Sequence, residues 1–265
     1  MPLMPSLFIS HGSPDVAIAE TEATHFLRGL ATGLPRPRAI VVASAHFEAE
    51  GRVLVSGDAN PETIHDFGGF DRSLYEIRYQ APGDTKLAAA IAAALGEGGF
   101  AAEVVTERGF DHGTWVPLTV AFPQADIPVV QVSIDPDQGP AYHLRLGEAL
   151  GFLRHEGVLV IGSGSVTHNL GEAFARIRQG KRHDATPEWV SGFADWMTER
   201  LMAGDRSALE AYRSEAPFAR ENHPTDEHLM PLYVALGAAG AGAKATKLHA
   251  SHDFGVLAME AFAFA

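Results

Sequence analysis

Ala39-Ile40-Val41-Val42-Ala43-Ser44-Ala45-His46 is the stretch on which the fold assignment turns. Five apolar residues follow the turn-forming Pro35-Arg36-Pro37-Arg38 and end at small residues and a histidine. A run this short, with no polar alternation, suits a strand buried on both faces of a sheet. Runs of the same kind recur at Leu7-Phe8-Ile9, Ala102-Glu103-Val104-Val105, Ile127-Pro128-Val129-Val130-Gln131-Val132 and Val158-Leu159-Val160-Ile161. Helical patterns lie between and after them, at residues 21–32, 84–95, 140–154, 186–202 and 225–238. Strand and helix in alternation predict an α/β fold with a mostly parallel central sheet, helices on both faces, and the active site at strand ends.

No internal repeat, heptad or linker divides the chain, so residues 1–265 are expected to form a single domain. Asp84, after Pro82-Gly83, is placed to cap one helix. Thr225 is placed to cap another beginning near Asp226, with Gly237 and Gly240 available to end it. Two stretches, 56–83 and about 203–224, are too polar and broken for core elements, and long loops of this kind are often functional. The apolar end at residues 258–265 is expected to pack on the core or on a partner chain.

Charge and composition remove several functions. Lys+Arg 20 against Asp+Glu 33 leaves a formal charge of −13, which repels nucleic-acid phosphates and anionic membrane surfaces. No apolar run reaches the 18 or so residues of a membrane span, and no basic segment precedes the apolar start, so the expected location is the cytoplasm. Cysteine is absent, so a bound metal has only His, Asp and Glu to hold it. With 13 histidines, their placement becomes the main question.

His11 follows the first strand in His11-Gly12-Ser13-Pro14, and His46 follows the strand at 39–45. Two imidazoles delivered from two strand ends are placed to share a metal. His168 lies beyond a strand in Gly162-Ser163-Gly164-Ser165-Val166-Thr167-His168-Asn169, where the glycines would let a ligand approach the backbone. His228 lies in Asn222-His223-Pro224-Thr225-Asp226-Glu227-His228, at a helix entry, with His223 in the solvated loop before it. His112 sits in Phe110-Asp111-His112-Gly113-Thr114-Trp115, either as a turn histidine held by Asp111 or as a donor to substrate or oxygen. His25, His143, His155 and His183 fall in charged stretches and are expected at the surface, while His65, His249 and His252 are placed by no pattern. No His-Glu-x-x-His, Gly-x-Ser-x-Gly, phosphate loop or Gly-x-Gly-x-x-Gly is present, which excludes zincin, serine-hydrolase and dinucleotide readings.

Seven segments in order carry a resemblance: 8–14 (Phe-Ile-Ser-His-Gly-Ser-Pro), 35–40, 44–46 (Ser-Ala-His), 64–70 (Ile-His-Asp-Phe-Gly-Gly-Phe), 109–115, 166–170 (Val-Thr-His-Asn-Leu) and 224–232 (Pro-Thr-Asp-Glu-His-Leu-Met-Pro-Leu). Together they resemble the DOPA-dioxygenase family of class III, LigB-like extradiol ring-cleaving dioxygenases, and the resemblance spans residues 7–232. It lies nearer the bacterial than the plant members, which differ in the loop at 64–70. It implies a metal held by His11, His46 and His228, with the neighbouring Glu227 as the alternative third ligand. His168 has the position of the acid/base histidine, which relatives also count as a zinc ligand, and His112 that of a histidine steadying oxygen or substrate. Ser13, His65, Phe67 and Tyr75, with Tyr79 nearby, are expected to border the substrate.

The chemistry agrees with these residue types. A catechol must lose protons and meet a Lewis acid with open positions, and a base near neutral pH is a histidine's role. Dioxygen needs a redox-active metal, so Fe(II) is the catalytic expectation. Zn(II), which binds such sites more tightly, is expected in purified protein. The expected partners are a small catechol and O2. A zinc-dependent hydrolase and a non-catalytic metal-binding protein are the competing readings of the same histidines.

Overall fold

Alternation along the buried strands sets the layering. The computed structural model describes residues 3–265, and in β1 (Ser6–Ser10) Phe8 enters one core while Leu7 and Ile9 enter the other. In β2 (Ala39–Glu48), Val41 and Ala43 face one side, and Ile40 and Val42 face the opposite side. The apolar runs are continuous because both faces of the sheet are covered.

The other strands are β3 (Val53–Ser56), β4 (Ala102–Val105), β5 (Val129–Ile134), β6 (Val158–Gly164), β7 (Ala245–His249), β8 (His252–Asp253), β9 (Leu257–Ala258) and β10 (Ala261–Phe264). Eight of them form one sheet in the order β4-β3-β5-β2-β6-β1-β10-β7, while β8 and β9 pair with each other. Its centre, β5-β2-β6-β1, is parallel. β10 joins β1 antiparallel, and β3 meets β5 antiparallel at the other side. The protein is therefore a single-domain α/β fold with a mostly parallel sheet, as its sequence pattern predicts. The C-terminal residues settle onto their own chain: β10 lies between β1 and β7.

Helices Thr85–Glu97, Pro140–Leu150, Glu188–Ala203 and Met230–Ala239 cover one face, and Glu22–Leu30 and His112–Ala121 the other. Asp84 caps its helix as expected, accepting from the N–H groups of Lys86 and Leu87. Thr225 does not: the last long helix begins only at Met230, because Pro231 has no N–H to give and fits just the first turn. Gly237 lies inside that helix instead of ending it. A Cβ there would stand 2.1 Å from the Leu144 carbonyl, so glycine is what lets this helix rest against Pro140–Leu150. The stretch expected to be loop at 203–224 folds into three short helices, Arg206–Glu210, Tyr212–Glu215 and Ala219–Asn222, that bury Leu209, Tyr212 and Asn222. The stretch at 56–83 stays irregular beyond the end of β3 except for one 3-10 turn, Arg72–Glu76. No helix among the described residues is long and apolar enough to cross a membrane.

Candidate active site

The parallel strands β2, β6 and β1 are neighbours, and their carboxyl ends open on one side of the sheet. His11 follows β1 and is held by its backbone N–H, which donates to the Gly164 carbonyl at 2.9 Å. His46 stands on β2 just past Ser44, the last residue of that strand paired with β6. His228 arrives from the turn before helix Met230–Ala239, with its carbonyl accepting from Ser165 N at 2.8 Å. The glycines that sequence reasoning gave to a ligand are used here by the chain itself. A Cβ on Gly162 would lie 2.0 Å from the Pro231 carbonyl, and one on Gly164 would lie 2.1 Å from the His228 carbonyl.

These placements bring three nitrogens together. His46 Nε2 is 3.2 Å from His11 Nε2 and 3.2 Å from His228 Nε2. Burial, reinforced by the neighbouring imidazoles, holds His11 and His228 well below the usual histidine value and lowers His46 to about 3. All three are therefore neutral at pH 7, each with one N–H and one lone pair. The opposite nitrogens face acceptors: His11 Nδ1 is 3.0 Å from Ser163 Oγ, and His228 Nδ1 is 2.9 Å from Glu227 Oε1. Ser163 Oγ donates its proton to the Gly113 carbonyl, so it can only accept from His11. His46 Nδ1 faces Asp66 Oδ2 at 3.8 Å. With Nδ1 carrying the proton on His11 and His228, their Nε2 lone pairs converge on His46 Nε2, an arrangement suited to a shared cation. Ligands about 2.0–2.1 Å from a metal put adjacent nitrogens roughly 2.9 to 3.4 Å apart, for octahedral to tetrahedral angles. The observed 3.2 Å fits that range.

The other two histidines flank this triad. His168 stacks on His228 with ring centroids 3.3 Å apart, its Nδ1 3.8 Å from Glu227 Oε1. Burial and nearby His223 keep it well below the usual value, so it too is neutral. His112, the first residue of its helix, packs 3.9 Å from the His46 ring, and its Nδ1 lies 3.0 Å from Asp66 Oδ1. Its backbone N–H donates to that same oxygen at 3.0 Å. Although burial pushes Asp66 up, His112 and His46 outweigh it and hold the carboxyl at about 2. Of the two roles open to His112 in the sequence, the turn histidine held by Asp111 does not form: Asp111 accepts from Ser44 Oγ at 2.6 Å and Arg108 at 2.8 Å, and Arg108 also donates to the His46 carbonyl at 3.0 Å. Asp111 thus steadies His46, one strand away from the histidine next to it in sequence.

A cavity of about 190 Å³ opens over the cluster, with His11, His46, His112, His168 and His228 in its lining and Phe67, Phe70, Leu170, Phe174, Ile177 and Leu257 as apolar wall. Ser13 and Phe67 line it, as expected of substrate contacts. His65 and Tyr75 do not. They pack behind Phe67, at ring distances of 5.9 and 5.1 Å, and His65 Nε2 turns to the Ile77 carbonyl at 3.2 Å. Tyr79 is buried and donates to the Phe122 carbonyl. Two histidines placed at the surface by composition are buried. His143 bonds Asp135 N and Gly139 O, and His223, lowered to about 4 by burial, bonds the Val166 carbonyl at 2.7 Å. Asp66 and Ser163 escaped sequence reasoning. Asp66 sits inside the quoted 64–70 segment, but Ser163 had no signal beyond its place at a strand end.

Comparisons with known proteins identify the family to which this fold belongs. The family model described as the catalytic LigB subunit of aromatic ring-opening dioxygenase matches residues 5–261. The chain is 38% identical over 98% of its length to a protein of Beta vulgaris named 4,5-DOPA dioxygenase extradiol, covering 96% of that protein. It is also 38% identical, over 89% of its length and 85% of the relative, to the Escherichia coli K12 protein of the same name. Equal identity to the plant and bacterial proteins removes the expected nearness to the bacterial members. A crystal structure of an uncharacterized Escherichia coli K12 protein superposes with a TM-score of 0.78 at 31% identity, covering 99% of this chain and 100% of the other. The chain belongs to the LigB family of aromatic ring-opening dioxygenases and is an extradiol ring-cleaving enzyme.

Proposed function

We propose that the protein opens a catechol ring with dioxygen, using a single divalent iron held by His11, His46 and His228. The observation that carries this reading is the convergence of three neutral Nε2 atoms, with the His11 and His228 rings anchored by their Nδ1 atoms, on the floor of an apolar cavity. Glu227 supports His228 from the opposite nitrogen and is given no ligand role here. Iron there would supply the Lewis acidity that acidifies a catechol hydroxyl and the electrons that dioxygen requires.

The rest of the task falls to the side chains. His168 is neutral and borders the cavity, with Glu227 near its Nδ1, so its Nε2 is the atom that takes the hydroxyl proton. His112, with Nδ1 beside Asp66, turns its other nitrogen to a substrate oxygen and fixes where that oxygen sits. Phe67 and the opposite wall hold the flat ring and keep bulk water from it, and Ser13, whose hydroxyl donates to Asp15, presents its oxygen as an acceptor at the rim. The DOPA in the relatives' names is the reference substrate, and zinc is expected in aerobically purified protein.

The test is to strip the protein of metal, load one Fe(II) per chain without oxygen, then add O2 and a catechol. Uptake of one O2 per catechol with a yellow ring-opened product is expected. No uptake with any catechol, from protein holding its iron, would overturn the reading and favour zinc chemistry or plain metal binding.

A further inference from the structure

The ring's substituent has to lie somewhere, and the cavity says what kind of substituent that is. A catechol with both oxygens at the histidine cluster projects its other ring positions into the wall made by Phe67, Phe70, Leu170, Phe174, Ile177 and Leu257. Among the described residues no lysine or arginine lines the cavity, and the one charged lining residue outside the histidines is Asp66, a carboxylate. Arginines on and near helix Leu170–Arg178 are paired with carboxylates. Arg176 faces Asp184 at 3.3 Å, and Arg182 is clamped between Asp15 and Asp253. Arg178 ends helix Leu170–Arg178 exposed and is outside the lining.

A second observation points the same way. Leu170 and Phe174, 48% and 37% exposed, are among the large apolar side chains this protein leaves in water, and both stand on the helix that forms one lip of the cavity. Exposed apolar surface continuous with a binding cavity is surface that a ligand covers. A carboxylate against this wall would meet no cationic lining residue, in a cavity that also holds the Asp66 carboxylate and on a chain of net charge −13.

We propose that the enzyme selects catechols with an uncharged, hydrophobic substituent over those with a free carboxylate, and that Phe174 and Leu170 determine this choice. The inference rests on the catechol-cleaving reading and deepens it.

The experiment compares 4-propylcatechol, 3-(3,4-dihydroxyphenyl)propionate and DOPA in two assays: kcat/KM for the Fe(II) enzyme, and equilibrium binding to the Zn(II)-loaded protein, which does not turn over. The propyl compound is expected to lead the propionate by about tenfold or more in both, from an unpaired carboxylate alone. Phe174→Arg is expected to narrow or reverse that ratio, improving the propionate and weakening the propyl compound. Equal or better use of the carboxylates by the unmodified enzyme overturns the selectivity while leaving ring cleavage intact. The expected ranking in binding with no O2 uptake upholds the selectivity and sinks the ring-cleaving reading. Failure of all three to bind overturns both, and an unchanged ratio in Phe174→Arg removes Phe174 as the determinant.

Discussion

His11 and His46 leave parallel strands whose neighbours are fixed by sheet hydrogen bonds, whereas His228, His112 and Asp66 leave turns and a helix start that other segments hold in place. The strand half needs only the sheet to be correct. The turn half needs contacts between segments far apart in sequence: Ser165 to His228, Asp66 to His112, and Gly164 under the His228 carbonyl. The rigid half supplies fixed ligands, and the turn half closes the site around them. The two halves are expected to fail differently.

Removing a strand ligand has the largest effect. His46 is the middle nitrogen, 3.2 Å from both others, so His46→Ala is expected to lose metal and turnover together. His168→Ala should keep most of its metal and lose on the order of 10²–10⁴ in rate, because it removes a base. Metal analysis and O2 uptake on the two purified variants check this, and stoichiometric metal in His46→Ala would take that residue out of the ligand set. Gly164→Ala replaces no ligand and acts on the turn half through the His228 carbonyl, although the Gly164 carbonyl also holds the His11 N–H. Its methyl would meet the His228 carbonyl at 2.1 Å, so the turn must move. The expected result is a stability loss of about 1–3 kcal/mol in thermal melts with weakened metal retention. A variant that melts lower but binds metal normally would mean that the turn half is more tolerant than the comparison implies.

Asp66→Asn is a smaller perturbation of the same half. It keeps the shape but removes the charge facing His46 and His112. A loss of about 10–100-fold in metal affinity or turnover is expected, measured by competition with a chelator and by kcat.

The same division explains what could be read from sequence. Strands such as 39–43 announced themselves because burial on both faces demands unbroken apolar residues, and histidines just past them were visible as strand-end groups. β7 and β10 were hidden for the opposite reason: β7 exposes Thr246, Lys247 and Leu248, and β10 reads Ala-Phe-Ala-Phe near a chain end. His223 and His143 looked solvated because their sequence neighbours are polar, yet backbone carbonyls of other residues receive them in the interior. His65 and Tyr75 share a segment with Phe67, but the loop turns only Phe67 toward the cavity and stacks the others behind it. Pairings across long sequence separations have no local signal, and the turn half consists of them.

The strand half carries its own cost, and the smallest expected effect measures it. Glu260 precedes β10, and its carbonyl accepts from Ser10 N at the end of β1, beside His11. Its side chain is 4% exposed and Oε2 has no hydrogen-bond partner. Burial pushes the carboxyl up from its ordinary value to about 7, with Asp195 adding to the rise and Lys247 opposing it. A raised carboxylate value means the folded state holds its proton more tightly than the unfolded chain. The contribution of Glu260 is therefore nil below about pH 4.5, becomes destabilising as pH rises toward 7, and levels off above it. The full loss is on the order of 3 kcal/mol. Glu260→Gln cannot ionise, so the stability gap between the two proteins should widen in its favour from pH 5 to 8, on top of the rise that the lowered histidines give to both. Because the amide is left equally short of partners, its advantage at pH 8 should be only about 1 kcal/mol. Denaturant melts across that pH range read the slope directly, and parallel slopes for the two proteins would show that the cost lies elsewhere in the strand half.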